Sequence, residues 1–146
     1  MYKALVVVIA SIFLSGCAVQ NWFAKKPAGL EIRTVPVATV ALNGENVGTT
    51  PYSNKNLKPG EYTITLTPES GDFSPWQIKR KLEPQAGVVI SRNFGRSEDE
   101  SSHYILTLEP ILGEGSYLSI ISQPDAVNVN LDDKPHGFTP LSKIAT

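Results

Sequence analysis

The stretch Leu30-Glu31-Ile32-Arg33-Thr34-Val35-Pro36-Val37-Ala38, followed by Val40-Ala41-Leu42-Asn43-Gly44, decides the fold of this chain. Leu30, Ile32 and Thr34 alternate with Glu31 and Arg33, and Val40 and Leu42 flank Ala41. A period of two in short runs puts one side of an extended chain in a core and the other in water. Asn43-Gly44 suits a two-residue hairpin turn, in which both residues take positive φ. Tyr62, Ile64 and Leu66 resume the alternation after Pro59-Gly60. There Pro presets φ, and Gly is expected in the left-handed conformation. No ten residues beyond residue 30 carry helical spacing. The expected fold class is all-β.

The same stretch then recurs. Leu118-Ser119-Ile120-Ile121-Ser122-Gln123-Pro124-Asp125-Ala126 repeats residues 30–38 at an offset of 88. One extra residue near Val127 shifts the offset to 89, and Val40, Leu42, Gly48, Thr50 and Pro51 meet Val129, Leu131, Gly137, Thr139 and Pro140. The shared pattern is L-x-I-x-[ST]-x-P-x-A, a short gap, V-x-L-[ND], then G-x-T-P. A fixed offset of this kind marks a structural repeat. Asp132-Asp133 replaces Asn-Gly in the second copy, so a different turn is expected there.

This pattern resembles the PEGA domain, with Leu57, Pro59, Gly60 and Tyr62 supplying the family's L-x-P-G-x-Y element. Val37 stands where that family commonly has Gly. The resemblance implies a small antiparallel β-sandwich and almost nothing about chemistry. The resulting division is 29–110 as a PEGA-like sandwich, 111–116 as a linker and 117–146 as a partial second copy. In the first copy, Trp76 to Leu82, Gly87 to Phe94 and His103 to Leu108 read as further strands, and Gly95 to Ser102 as a polar turn. Arg80 falls on the inward parity, which points to an edge strand or a bulge. The half copy would expose an apolar face and an open edge. A truncated gene, or the front of a longer ancestor, is expected; the alternative is that 117–146 fold back as extra strands on the first module.

At the N-terminus, Lys3 precedes the apolar run Ala4 to Leu14, the size of a signal-peptide core and too short to span a bilayer. Leu14-Ser15-Gly16-Cys17 resembles a bacterial lipobox. The resemblance implies a signal peptide over 1–16, cleavage between Gly16 and Cys17, and diacylglyceryl (and palmitate) attachment at Cys17. Lipidation also removes the liability of a free thiol in an oxidising compartment, and two or three acyl chains hold a protein stably where one does not. Residues 17–28 then form the lipidated cysteine and its tether, reaching at most about 40 Å. Trp22-Phe23 and Lys25-Lys26 either rest in the headgroup region or belong to a plain linker. The expected location is extracytoplasmic, on the cell membrane, or on the outer membrane of a diderm organism because Ala18 follows the cysteine.

Composition excludes more than it selects. With 18% charged and 41% hydrophobic residues the chain is ordinary globular protein, not disordered, collagen-like or coiled coil. A net charge of −1 leaves no basic surplus for nucleic acid. One cysteine excludes an intramolecular disulfide and any multi-cysteine metal site. Nothing like G-x-S-x-G, G-x-x-x-x-G-K-[ST] or G-x-G-x-x-G is present. His103 and His136 read as surface groups, Glu98-Asp99-Glu100 as a solvated loop tip and Asp132-Asp133 as turn residues. Lys79-Arg80-Lys81 would split between two strand faces.

No enzyme, cofactor or metal site is expected. The functional expectation is an envelope lipoprotein acting as an adhesion or scaffold module, contacting cell-wall glycan or another envelope protein. The alternative is a passive spacer for a domain lost from, or lying beyond, this chain. Tyr52, Tyr62 and Trp76 are the candidate ligand contacts, as aromatics able to stack on sugars, although a small sandwich needs most of its large side chains inside.

Overall fold

A computed structural model describes residues 26–146 apart from 112 and 114. Gly16, Cys17 and the whole signal segment lie outside the described residues. The chain forms β1 (Ala28–Val35), β2 (Ala38–Leu42), β3 (Glu45–Thr49), β4 (Tyr52–Leu57), β5 (Gly60–Pro68), β6 (Trp76–Leu82), β7 (Gly87–Asn93), β8 (Ser102–Pro110), β9 (Ser116–Gln123), β10 (Asn128–Leu131), β11 (Lys134–Phe138) and β12 (Leu141–Ala145). A six-stranded sheet runs β12-β9-β8-β7-β1-β4, a four-stranded sheet β3-β2-β5-β6, and β10-β11 form a hairpin of their own. The described residues are all-β and sandwich-like, as their period-2 runs require.

The alternation seen in the sequence sets the core. Leu30 and Ile32 of β1, Val88 and Ile90 of β7 and Ile105 of β8 pack with Val40 and Leu42 of β2 and Ile64 and Leu66 of β5. Burying each such side chain contributes about 1.5–3 kcal/mol. β1 lies between β4, antiparallel to it, and β7, parallel to it from Gly29↔Gly87 to Val35↔Asn93. That parallel pair stands in an otherwise antiparallel set of described strands.

Between β1 and β2 the chain passes from one sheet to the other, and the [ST]-x-P and G-x-T-P elements meet at that corner. Thr34 Oγ1 donates to Pro36 O (2.7 Å) and lies 2.6 Å from Thr50 Oγ1, which accepts from Ala38 N–H (3.0 Å). The repeated segment forms the same corner. Ser122 Oγ donates to Pro124 O (2.8 Å) and lies 2.6 Å from Thr139 Oγ1, which accepts from Val127 N–H (3.1 Å). The peptide bonds preceding Pro36, Pro51, Pro124 and Pro140 are all cis.

β9 pairs with β8 along its whole length, from His103↔Gln123 to Pro110↔Ser116, and β12 pairs with β9 as β4 does with β1. Residues 117–146 thus extend the first module's sheet through β9 and β12. Two turn expectations need correction. Asp132 (φ 50°) and Asp133 (φ 62°) take the same doubly left-handed turn as Asn43 (φ 53°) and Gly44 (φ 85°); Asp tolerates that region through its short polar side chain. Gly60 is not left-handed, because it is already extended in β5 and paired with Leu82. Arg80 does sit on an edge strand, β6.

Candidate functional site

Alternation along β7 continues past its apolar residues: Val88, Ile90 and Arg92 all face inward, and Phe94 is buried just beyond the strand. Arg92 is 2% exposed. Its Nη2 donates to Glu98 Oε2 at 2.8 Å and Nη1 to Oε1 at 3.4 Å, a two-point contact. The guanidinium carbon lies 4.8 Å from the centre of the Trp76 ring and 5.0 Å from that of Phe94. Cation–π contacts of this kind contribute about 2 kcal/mol when desolvated. The charge is therefore held between two ring faces and one carboxylate.

Glu98 comes from the loop between β7 and β8, which is tied to itself. Ser101 Oγ accepts from Gly95 N–H (2.9 Å) and donates to Ser97 O (2.8 Å), and Glu100 Oε2 accepts from Arg96 N–H (3.1 Å). The fold admits no side chain at residue 95, where a Cβ would stand 2.5 Å from the backbone carbon of Glu100. Only glycine lets the loop close this tightly.

His103 sits opposite Arg92 on β8, its ring 5.1 Å from that of Trp76 and its Nδ1 3.4 Å from Arg92 Nη1. Arginine can only donate, so Nδ1 accepts and the ring proton is on Nε2. Burial, and then the Arg92 charge, push the His103 pKa below the ordinary histidine value. The expectation of a surface histidine is corrected for His103, which is half-buried, and holds for His136, which is exposed. Arg80, opposite Tyr62 on β5, is half-buried with Nε unpartnered, and burial lowers its pKa.

A cavity of about 170 Å³ adjoins the cluster, lined by Ser74, Pro75, Arg92, Phe94, Arg96 and Glu98 among others. Of the charged groups around it, Glu98 faces Arg92 and Arg92 faces His103, while Arg96 is exposed. Such an arrangement fixes the 94–101 loop against β6. Among the described residues no three His, Cys, Asp or Glu side chains gather to hold a metal.

The three aromatics singled out in the sequence are not brought together. Tyr52 lies in the six-stranded sheet, Tyr62 and Trp76 in the other, and each is half-buried against the core. Tyr62 OH donates to Lys58 O (2.9 Å), and Tyr52 OH accepts from Asn54 Nδ2 (3.4 Å). Trp76 has one ring face against Arg92. Sequence reasoning missed Arg92, Glu98 and His103 as a cluster. The available signal was Arg92 on the parity of Val88, Ile90 and Phe94, which asks for a partner inside.

Comparison with curated proteins and with solved structures returns no match. The segment that builds β1 through β7, residues 28–93, matches the family model of the PEGA domain.

Proposed function

We propose that this chain is a lipid-anchored, non-enzymatic protein of the cell envelope, serving as a scaffold or adhesion unit that holds PEGA-type β-modules at a membrane surface. The observation that carries the reading is the continuous pairing from β4 to β12, which joins the PEGA-matching segment and the repeated segment after it in one six-stranded sheet. A single sheet on a short tether suits holding a partner at a fixed height. The Leu14–Cys17 motif supports the anchor, and the Leu118–Pro140 repeat supports a second, partial PEGA-type unit.

The partner of choice is an envelope protein. Tyr52, Tyr62 and Trp76 spend much of their surface on the core, and open strand edges offer main-chain hydrogen bonds to a protein. The test is fractionation of wild type against Cys17→Ser, followed by crosslinking in intact membranes and co-sedimentation with purified cell-wall sacculi. Wild type in the membrane, release of Cys17→Ser and a discrete crosslinked protein are expected. A Cys17→Ser protein that stays in the membrane would exclude the anchor, and saturable sedimentation with sacculi alone would replace the protein partner with glycan.

A further inference from the structure

The hairpin β10–β11 reproduces β2–β3 down to its irregularities. Both have a doubly left-handed two-residue turn, and both shift register at the same place, between Val40 and Ala41 and between Val129 and Asn130. The difference is on the outer edge. β2 is paired there with β5, from Ala38↔Pro68 to Leu42↔Ile64. Among the described residues no strand pairs with the outer edge of β10.

The turn of the first hairpin also grips the strand it receives. Asn43 N–H donates to Thr63 O (2.8 Å), and Asn43 Oδ1 accepts from Thr63 N–H (2.8 Å). Asp132 holds the corresponding position with the same backbone conformation, a backbone N–H and a carboxylate acceptor. The apolar residues of the repeated segment are less covered than their counterparts in the first. Val129 and Leu131 are half-buried where Val40 and Leu42 are buried, and Leu118 and Ile120 keep 8% and 9% exposure where Leu30 and Ile32 keep 2% and 0%.

We propose that the outer edge of β10 is a strand-acceptor site for an extended peptide of the chemistry of β5. The peptide runs antiparallel to Asn128–Leu131, sets apolar residues at alternate positions over Val129 and Leu131, and is clamped through one residue's N–H and C=O by Asp132. The first hairpin shows the occupant that this geometry accepts. A second copy is a poorer fit: β10 has four residues, so β10 against β10 would make a short ladder, whereas a β5-like strand also reaches Asp132 and covers Leu118 and Ile120. The site gives the scaffold reading a partner chemistry and rests on that reading for its purpose, although its geometry does not depend on the anchor at Cys17.

The experiment is a fluorescence-anisotropy titration of the full chain, in detergent micelles, into a labelled peptide of residues 57–68 (LKPGEYTITLTP). Saturable one-to-one binding is expected. Asp132→Ala should weaken it about tenfold, since it removes one main-chain clamp. Asp132→Asn, which installs the residue of the first hairpin, should restore it. The same peptide with aspartate in place of the isoleucine and the leucine of TITLT should not bind. Absence of saturable binding would overturn the proposal. So would binding sensitive to Asn43→Ala but not to Asp132→Ala, because the peptide would then be displacing β5 in the first hairpin. Self-association of the chain with no peptide uptake would overturn it in favour of a second copy. None of these results bears on fractionation of the Cys17→Ser protein, so the anchor and the acceptor site fail separately.

Discussion

The hydroxyl oxygens of Thr34 and Thr50 lie 2.6 Å apart, and their surroundings fix which one donates. Thr34 gives its only proton to Pro36 O, so Thr50 must give its own to Thr34 while accepting from Ala38 N–H. The result is a one-way chain from one strand to the next across the corner. Thr50→Val keeps the shape but leaves the buried Ala38 N–H without an acceptor, so a loss of about 1–3 kcal/mol is expected. Thr139→Val breaks the equivalent chain where Val127 is 45% exposed and water can substitute, and it should cost less. Urea unfolding of the two variants measures the difference; equal losses would deny the corner its buried character.

Arg92 and Glu98 should respond unequally to removal. Arg92 has a side chain 2% exposed and Glu98 one that is 57% exposed. Glu98→Ala strands a buried cation, at about 1–3 kcal/mol after allowance for the exposure of the carboxylate. Arg92→Met leaves Glu98 in water and keeps an apolar stem between Trp76 and Phe94, so it should cost less than Glu98→Ala. The double variant should sit near Arg92→Met alone. A double-mutant cycle showing simple additivity would mean that the pair is not coupled.

Stability should fall on mild acidification through His103. Its folded pKa lies below the ordinary value, from burial and the Arg92 charge, with Arg80 acting the same way and Glu98 and Asp125 opposing. The unfolded chain therefore binds the proton more readily. The contribution is fully present above about pH 6.5, the unfolded histidine value, and is lost as pH falls from there through the folded pKa. Thermal melts across that window should show the decline in wild type and a flatter profile in His103→Gln. Parallel profiles would remove His103 as the cause.

A chain ending at Pro110 should lose more than its length suggests. β9 covers the whole β8 edge, and Ile121 packs against the core from β9. Removing it exposes a nine-residue edge strand, the kind of surface that templates aggregation. Gel filtration should find the shortened protein partly aggregated, with earlier thermal unfolding. A stable monomer would show that β1–β8 are sufficient.

Strands whose partners sit nearby in the chain were legible. Asn43-Gly44 announced its hairpin because both residues do take positive φ, and the parity of Arg80 announced an edge because an inward charge is tolerated there. Asp132-Asp133 misled because a sequence shows turn preference, and Asp, less favoured there than Asn-Gly, still tolerates two left-handed positions. The β8–β9 seam and the parallel β1–β7 pair were not legible, since period-2 runs say which face is buried and not which strand lies alongside. Arg92, Trp76 and His103 come from three strands, and only their tertiary placement makes a cluster of them.

The parallel pairing of β1 with β7 has a mechanical meaning. The chain enters the sheet at Ala28 in an interior strand, held by β4 on one side and along Gly29–Val35 by β7 on the other. Tension arriving through the preceding residues runs along β1, so the bonds of both flanks resist together in shear instead of opening one after another like a zip. Single-molecule pulling from the N-terminus should record one high-force rupture, whereas a staircase of small ones would show that β1 peels. If the tether is indeed fixed to a membrane, the module yields last at the strand on which the envelope would pull.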